Sequence, residues 1–225
     1  FGPPTPLAVT DLSVRRGGRL VLDGLDVQVR PGEIVALMGR NGSGKSTLLW
    51  TIAGQLPIAS GDVLLGGASV SSLAARDRVG LVGLVPQDPA DLLYAATVGE
   101  ECRDSDRDAQ VPDGTCHALV TSLAGPIHRA THPRDLSEGQ RLALALAVVL
   151  VTAPPLLLLD EPTRGLDYAA KADLLRILRE LAGRGTAIVM ATHDVELAAE
   201  AASRVLLLAD GQVVADEPGS DVLAT

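Results

Sequence analysis

Aromatic residues and cysteines are scarce in this chain of 225 residues. Phenylalanine, tryptophan and tyrosine together make up 2% of it, so leucine, valine and alanine must fill the core. The hydrophobic fraction of 47% is still enough for a large core, and the charged fraction of 21% argues against a disordered chain. The two cysteines, Cys102 and Cys116, lack a CxxC spacing. We therefore expect free thiols rather than a disulfide framework.

Long hydrophobic runs and clusters of basic residues are also missing. The longest apolar run, residues 142–151, has ten residues, whereas a membrane-spanning helix needs about 20. The sequence thus predicts no transmembrane segment. The net charge is −9, and no block of Lys and Arg of the kind that holds nucleic acid is present. We therefore do not expect DNA or RNA to be the main ligand.

Strands and helices alternate along most of the sequence, which predicts an α/β fold with a mostly parallel sheet and an antiparallel edge subdomain. Apolar runs and alternating patterns predict strands over residues 7–14, 27–29, 34–38, 63–65, 79–85, 156–160, 187–191, 204–208 and 213–215. Helical periodicity predicts helices over residues 45–53, 138–151, 169–181 and 195–202.

Between residues 88 and 134 the regular pattern gives way to acidic and small residues. We predict a small, mostly helical insert lobe there, with an exposed loop over residues 104–114. Residues 7–87 and 135–223 would then form the core of a single domain that occupies residues 1–225.

A glycine-rich segment between a strand and a helix matches the phosphate-loop pattern GxxxxGK[ST] in full. Glycines let consecutive backbone N–H groups wrap around an anion, and the helix N-terminus adds its partial positive charge. We expect Lys45 to reach the β- and γ-phosphates, Ser46 to ligate Mg²⁺ and Thr47 to contact the α-phosphate. The predicted nucleotide-binding residues of this segment are Gly39, Arg40, Asn41, Gly42, Ser43, Gly44, Lys45, Ser46 and Thr47.

Two acidic residues, Asp160 and Glu161, follow four leucines. A buried parallel strand brings its C-terminal residues to the ligand edge of a sheet. Asp160 can hold Mg²⁺ there, directly or through water, and Glu161 is placed to polarise an attacking water. A strand followed by a charged turn is the alternative, and the phosphate loop in the same chain favours the nucleotide site.

Three further features mean little singly. Leu136-Ser137-Glu138-Gly139-Gln140 precedes a long helix, and Gln87 and His193 each follow a strand. In isolation Ser137 is a helix N-cap, and a histidine after a strand is a surface or capping residue. Their order, from the phosphate loop through Gln87, Leu-Ser-x-Gly-Gln and Asp-Glu to His193, resembles the ATP-binding cassette ATPases over about residues 7 to 223.

This resemblance implies that the domain works in head-to-tail pairs with two ATP molecules sandwiched between them. The signature segment Ser137, Glu138, Gly139 and Gln140 would then face the nucleotide of the partner domain, with Ser137 and Gly139 donating to its γ-phosphate. Asp167, in Gly165-Leu166-Asp167, resembles the aspartate that communicates across such a pair.

The resemblance also implies catalytic roles. Glu161 would be the general base and His193 the γ-phosphate sensor that holds it in place. Gln87 would ligate Mg²⁺ together with Ser46 and Asp160, and would couple the site to the insert lobe, which meets a membrane subunit.

Two positions depart from the family pattern. Glu138 stands where the family usually has glycine, and its carboxylate must point away from the γ-phosphate to avoid repulsion. The stretch that usually carries an adenine-stacking aromatic has none, and Arg16 is the candidate to stack its guanidinium on the base, the alternative being a solvated hairpin residue. Weak discrimination between ATP and GTP is therefore expected.

The segment Val85-Pro86-Gln87-Asp88-Pro89 resembles the energy-coupling factor ATPases, which drive vitamin and transition-metal uptake. Thr163-Arg164-Gly165 resembles the second half of chains in which two ATPase domains are fused, so residues 1–6 are interpreted as a linker remnant. The expected partners are a second ATPase domain, homodimeric or non-identical, and integral membrane subunits at the cytoplasmic face of the cell membrane.

Two other functions are considered. A cassette ATPase acting on ribosomes or DNA would carry basic elements or a long coiled coil, and this acidic chain shows neither. A degenerate module that only supports a partner would lack part of the catalytic set, which is complete here.

Overall fold

The computed structural model describes residues 5–219. Its strands and helices are, in chain order, β1 (Leu7–Arg16), β2 (Arg19–Val29), β3 (Ile34–Met38), α1 (Lys45–Ile52), β4 (Ser60–Leu65), β5 (Ala68–Ser69), α2 (Ala75–Val79), β6 (Val82–Val85), α3 (Val98–Asp108), α4 (Thr115–Ala124), α5 (Glu138–Leu150), β7 (Leu156–Asp160), α6 (Tyr168–Gly183), β8 (Ala187–Ala191), α7 (Val195–Ala201), β9 (Arg204–Ala209) and β10 (Gln212–Pro218). Within the described range no helix combines the length and hydrophobicity that a membrane span requires.

The central sheet has six strands in the order β10-β9-β3-β8-β7-β6. Its pairs are parallel except for the antiparallel edge pair of β9 and β10. Every residue of β7 and β8 is buried, which is why both strands are nearly continuous apolar runs. The parallel register brings the ends of β3, β7 and β8 to one edge, where Asp160 lies opposite Ala191 and Ala191 opposite Leu37.

The second sheet is antiparallel, in the order β2-β1-β4-β5. Leu12 of β1, Leu22 of β2 and Val63 of β4 share one buried cluster with Leu48 of α1 and Leu158 of β7. Successive side chains of a strand point to opposite faces, and Leu157 accordingly packs into a different cluster with α5 and α6. This small sheet and α1 therefore cover one face of the central sheet, and α5 and α6 cover the other.

The insert lobe is mostly helical, as predicted. Helices α3 and α4 pack on α5 through a cluster that includes Cys102, Cys116 and Leu144. Both cysteines are free and buried, which confirms the expected thiols. The loop predicted over residues 104–114 is wrong in its first half, because α3 continues to Asp108 and buries Asp106.

Another prediction also needs correction. The strand predicted over residues 79–85 begins only at Val82, because Val79 ends helix α2 and is 56% exposed. Strands β2 and β10 are longer than predicted. Most of the residues that lengthen them are exposed, so the sequence there lacks a clear alternation of apolar and polar residues. The four predicted helices end within two residues of the observed bounds.

The interpretation of residues 1–6 as a linker remnant, and the end of the predicted core at residue 223, fall partly outside the described residues.

Candidate active site

The loop between β3 and α1 has a shape that requires glycine. Gly39 has a φ of 150° and Gly44 a φ of 110°, in the region that favours glycine. A Cβ on Gly39 would lie 2.3 Å from the Leu208 carbonyl oxygen and 2.8 Å from Ser43 Oγ, and one on Gly44 would lie 2.6 Å from Leu22 Cδ2. The backbone can therefore curl tightly in front of the α1 N-terminus, where N–H groups lack helical partners.

Lys45, the first residue of α1, lies across this loop. Its Nζ donates to the carbonyl oxygens of Gly39 at 2.8 Å and Arg40 at 3.3 Å, and the residue is 7% exposed. Ser43 Oγ is buried and has no hydrogen-bond partner among the described residues. A buried hydroxyl without a partner beside an ammonium and a helix N-terminus fits an anion such as a phosphate group.

Ser46 of α1 and Asp160 of β7 meet directly. Ser46 Oγ donates to Asp160 Oδ1 at 3.1 Å. Burial, reinforced by the neighbouring charge of Glu161, raises the pKa of Asp160, and the hydrogen bond from Ser46 only partly offsets this. A cation at this position would favour the ionised form of Asp160, and hydroxyl and carboxylate oxygens are the ligands that Mg²⁺ takes. The residues present therefore fit the predicted magnesium ion.

Glu161 and His193 form a contact pair next to this carboxylate. Glu161 has a φ of 49°, which is unusual for a residue with a side chain, and its N–H donates to the Ala191 carbonyl oxygen at 2.8 Å. Glu161 Oε2 lies 2.7 Å from His193 Nδ1 and accepts from the His193 N–H at 3.3 Å. Sequence reasoning placed both residues at this edge, and the structure brings them into direct contact.

A cavity of about 540 Å³ gathers four predicted site residues, namely Arg16, Ser46, Gln87 and Asp160. Trp50 also lines it, and its indole N–H helps to hold down the pKa of Asp160 against burial. Sequence reasoning missed Trp50. The spacing could have revealed it, because residues four apart on a helix share a face and Trp50 follows Ser46 by four.

The signature segment lies elsewhere. Ser137 caps α5 in a capping box with Gln140, and Gly139 packs so closely on α6 that a Cβ would lie 2.9 Å from Ala170 Cβ. The cavity beside Ser137 and Gly139 includes no residue of the phosphate loop. Among residues 5–219, no hydrogen bond joins the segment to residues 39–46. Asp167 caps α6 by accepting from the Ala170 N–H at 2.8 Å.

Comparisons with known proteins agree with this geometry. The profile of the ABC transporter family matches residues 22–164. Over 96% of its length the chain is 62% identical to a Streptomyces avermitilis protein named as an ABC transporter ATP-binding protein, and over 98% it is 60% identical to one from Streptomyces coelicolor. It spans only 38% and 39% of the length of these two relatives. It is also 41% identical to the cobalt import ATP-binding protein CbiO of Rhodobacter capsulatus, with 92% of this chain and 76% of that protein covered.

Solved structures confirm the predicted fold class. The cbiO1 protein of Clostridium perfringens, described as part of the ABC transporter complex cbiONQ, superimposes with a TM-score of 0.86 at 29% identity, covering 98% of this chain and 91% of that one. The ATP-binding cassette MJ0796, solved as a dimer with ADP and Pi, gives a TM-score of 0.84 at 24% identity, covering 94% of this chain and 98% of that one.

Proposed function

Because the chain belongs to the ABC transporter family, we propose that it hydrolyses ATP to power an importer of the energy-coupling factor type, which takes up a vitamin or a transition metal. The contact between Glu161 and His193 is the observation that carries the hydrolysis part of this proposal. CbiO, 41% identical, is named for cobalt import, and a Streptomyces coelicolor protein of the same identity, HmuV, for hemin import.

The residues present have two tasks in hydrolysis, which are phosphate binding and proton transfer. The phosphate-loop N–H groups and the Lys45 ammonium hold the β- and γ-phosphates. Glu161 orients the attacking water and accepts its proton on a carboxylate oxygen, while the bond to the leaving ADP oxygen breaks. His193 fixes that carboxylate through the 2.7 Å contact. Ser46, Asp160 and Gln87 would hold Mg²⁺, which when bound would supply positive charge to offset the charge on the phosphate oxygens.

A second domain would complete the site. Ser137 and Gly139 stand at a helix N-terminus suited to an anion, yet the cavity that they line includes no phosphate-loop residue of their own chain among residues 5–219. We infer that they contact the nucleotide of a partner domain, identical or fused in the same chain, and that Asp167 lies at the junction of the pair. ATP would then close the pair and hydrolysis would release it.

The membrane partners follow from the importer proposal. Integral subunits would bind the surface around Gln87 and the insert lobe, and the ATPase would lie at the cytoplasmic face of the membrane. Purification of the full-length protein from its source membranes tests this point. Recovery with small integral proteins supports it. Recovery with ribosomes or DNA and no membrane protein would favour a cassette ATPase that acts on ribosomes or DNA.

Base recognition is proposed for Arg16, which lines the same cavity as Ser46 and Asp160. A guanidinium stacked on a purine discriminates little between adenine and guanine. GTP should therefore support hydrolysis at a rate comparable to that with ATP, and a far lower rate would show that another residue selects the base.

The test of the catalytic assignment is Glu161→Gln in the full-length protein. Turnover at this site should fall at least about 100-fold while ATP binding persists, so that an ATP-bound pair accumulates on size exclusion. Glu180→Gln is the matched control, because Glu180 is half-exposed on α6 and, among residues 5–219, forms ion pairs only with the surface residues Arg176 and Arg184. Unchanged turnover in Glu161→Gln would refute the assigned base.

A further inference from the structure

An ion pair joins helix α6 to the loop that carries His193. Lys171 Nζ lies 2.7 Å from Asp194 Oδ2, and the Asp194 side chain is 13% exposed. Lys171 is in the first turn of α6, and its N–H donates to the carbonyl oxygen of Asp167 at 3.0 Å. The pair therefore ties the beginning of α6 to the residue that follows the histidine.

Asp194 is fixed on its other side as well. Its Oδ1 accepts from the Leu197 N–H at 3.0 Å and caps helix α7, and its own N–H donates to Thr192 Oγ1 at 3.0 Å. Burial works to raise the pKa of Asp194, but the hydrogen bonds from Lys171 and Leu197 outweigh it and leave the pKa lowered. The carboxylate is thus ionised at neutral pH and is committed to both partners.

The residues flanking His193 decide where its ring lies. The ring is largely exposed, with 72% of its side-chain surface accessible, and in the described part of the chain its hydrogen-bonding contact is with Glu161. On one side Thr192 is fully buried and its N–H donates to the Leu37 carbonyl oxygen at 3.1 Å. On the other side Asp194 is held by Lys171. A ring with so little packing of its own depends on the backbone that presents it.

We propose that Lys171 is a positioning residue for ATP hydrolysis, which through its ion pair with Asp194 holds His193 against Glu161. The inference rests on the proposed function of Glu161 and His193. When the ammonium is removed, Asp194 keeps its cap on α7 but loses its tie to α6, and His193 can shift relative to the base. Displacements of about 1 Å in such positioning groups cost up to about 100-fold in rate.

Other charge pairs of α6 show why this one differs from a surface salt bridge. Arg176 lies 3.7 Å from Asp173 and 3.7 Å from Glu180, with each of these side chains at least half exposed. Both pairs join residues of the same helix, so their loss leaves the relation of α6 to other elements unchanged. Arg176 is therefore the matched control for Lys171.

The test compares Lys171→Met, Lys171→Arg, Asp194→Asn and Arg176→Met in the full-length protein, by steady-state ATP hydrolysis. Lys171→Met should lower kcat about 10-fold and leave KM for ATP within about twofold, because the phosphate loop is untouched. Asp194→Asn should lower kcat similarly, since asparagine preserves the helix cap but removes the charge. Lys171→Arg should recover at least half of the activity, and Arg176→Met should behave as wild type.

A double variant separates positioning from general damage. Lys171→Met combined with Asp194→Asn should be no slower than either single variant, because both remove the same interaction. A kcat for Lys171→Met within twofold of wild type, or no recovery in Lys171→Arg, would overturn the inference. Glu161→Gln, measured in parallel, separates a failure of this inference from a failure of the proposed function. If Glu161→Gln is inactive while Lys171→Met is normal, only the positioning role of Lys171 is refuted. If Glu161→Gln stays active, the assignment of Glu161 as the general base is refuted.

Discussion

Replacing Asp106 with alanine should destabilise the insert lobe strongly. Asp106 lies on α3 and is 2% exposed. Its Oδ2 accepts from the Gly114 N–H and its Oδ1 from the Cys116 N–H, both at 2.7 Å. These N–H groups belong to the beginning of α4, where no carbonyl of the helix can serve them. One carboxylate therefore joins the two helices of the lobe and caps the second.

The expected size of the effect follows from the burial of the two donors. The bond to the Cys116 N–H is buried, so its loss leaves a donor without a partner, at about 2 kcal/mol. The bond to the Gly114 N–H is partly buried, so water replaces part of it and its loss costs about 1 kcal/mol. The sum of about 3 kcal/mol corresponds to a fall in Tm of about 6–12 °C for a domain of this size.

Thermal unfolding followed by circular dichroism measures the fall in Tm, and hydrogen exchange of the α4 amides shows whether the lobe opens first. Asp106→Asn should recover about half of the loss, because its amide oxygen can accept one of the two bonds. Asp104→Ala is the control on the same helix, since Asp104 is half-exposed and its one ion pair within the described range is with Arg107 at 3.0 Å. If Asp106→Ala were as stable as Asp104→Ala, the buried carboxylate would have no capping role.

Three further outcomes are expected. Gly39→Ala should weaken ATP binding at least about 10-fold by calorimetry, because its Cβ would meet the Leu208 carbonyl oxygen at 2.3 Å; wild-type affinity would refute the tight-loop reasoning. The pKa of Asp216 is lowered by its hydrogen bonds from Arg204, so Asp216→Asn should be less stable than wild type above about pH 5, and the difference should vanish as pH falls through the folded-state pKa. A stability difference between Asp216→Asn and wild type that persists at pH 2 would contradict this role of the Asp216 charge. Hydrogen bonding to the Cys102 thiol and burial raise the pKa of Cys116. Iodoacetamide should therefore modify Cys116 at pH 8 only after unfolding, which mass spectrometry would show. Modification of Cys116 in the native protein would contradict this prediction.

The elements that the sequence predicts best are those whose pattern is local. Four leucines before Asp160 and Glu161 predict β7 residue for residue, because a strand buried on both faces needs an unbroken apolar run. Likewise the glycines before Lys45 fix where α1 begins, since the helix can start only after the loop has turned. Neither prediction depends on what the element packs against.

The last five residues of α3, residues 104–108, were predicted as a loop for the opposite reason. On α3 the buried positions Val98 and Cys102 follow the spacing of a helix face, but the next buried position along that face is the carboxylate Asp106. A buried acid breaks the apolar periodicity, and only the N–H groups of α4 explain why it is tolerated. That explanation depends on a tertiary contact, which no local pattern contains.

The candidate site shows the same difference between what a local pattern predicts and what depends on tertiary contacts. Its residues were predictable from their order along the chain, but the contacts that orient them were not. Lys171 is an ordinary exposed-face lysine in the sequence, and its pairing with Asp194 arises only when α6 and the β8–α7 loop pack side by side. Trp50 similarly becomes part of the site because α1 lies beside the end of β7.

The glutamate at the centre of the signature segment shows how such a contact can resolve an apparent conflict. An isolated carboxylate at the N-terminus of α5 would repel the phosphate that this helix end is suited to bind. In the structure Glu138 Oε1 lies 2.7 Å from the guanidinium of Arg141, one turn further along α5.

Arg141 is itself held in place, because its side chain donates to the carbonyl oxygens of Pro133, Arg134 and Leu136 in the segment before the helix. This fixed guanidinium compensates the charge of the Glu138 carboxylate. The capping box of Ser137 and Gln140 is preserved at the same time. Glutamate at this position is therefore compatible with an anion at the helix end as long as Arg141 accompanies it. The position of Glu138 in the sequence could not show this compatibility, because it depends on the contact with Arg141.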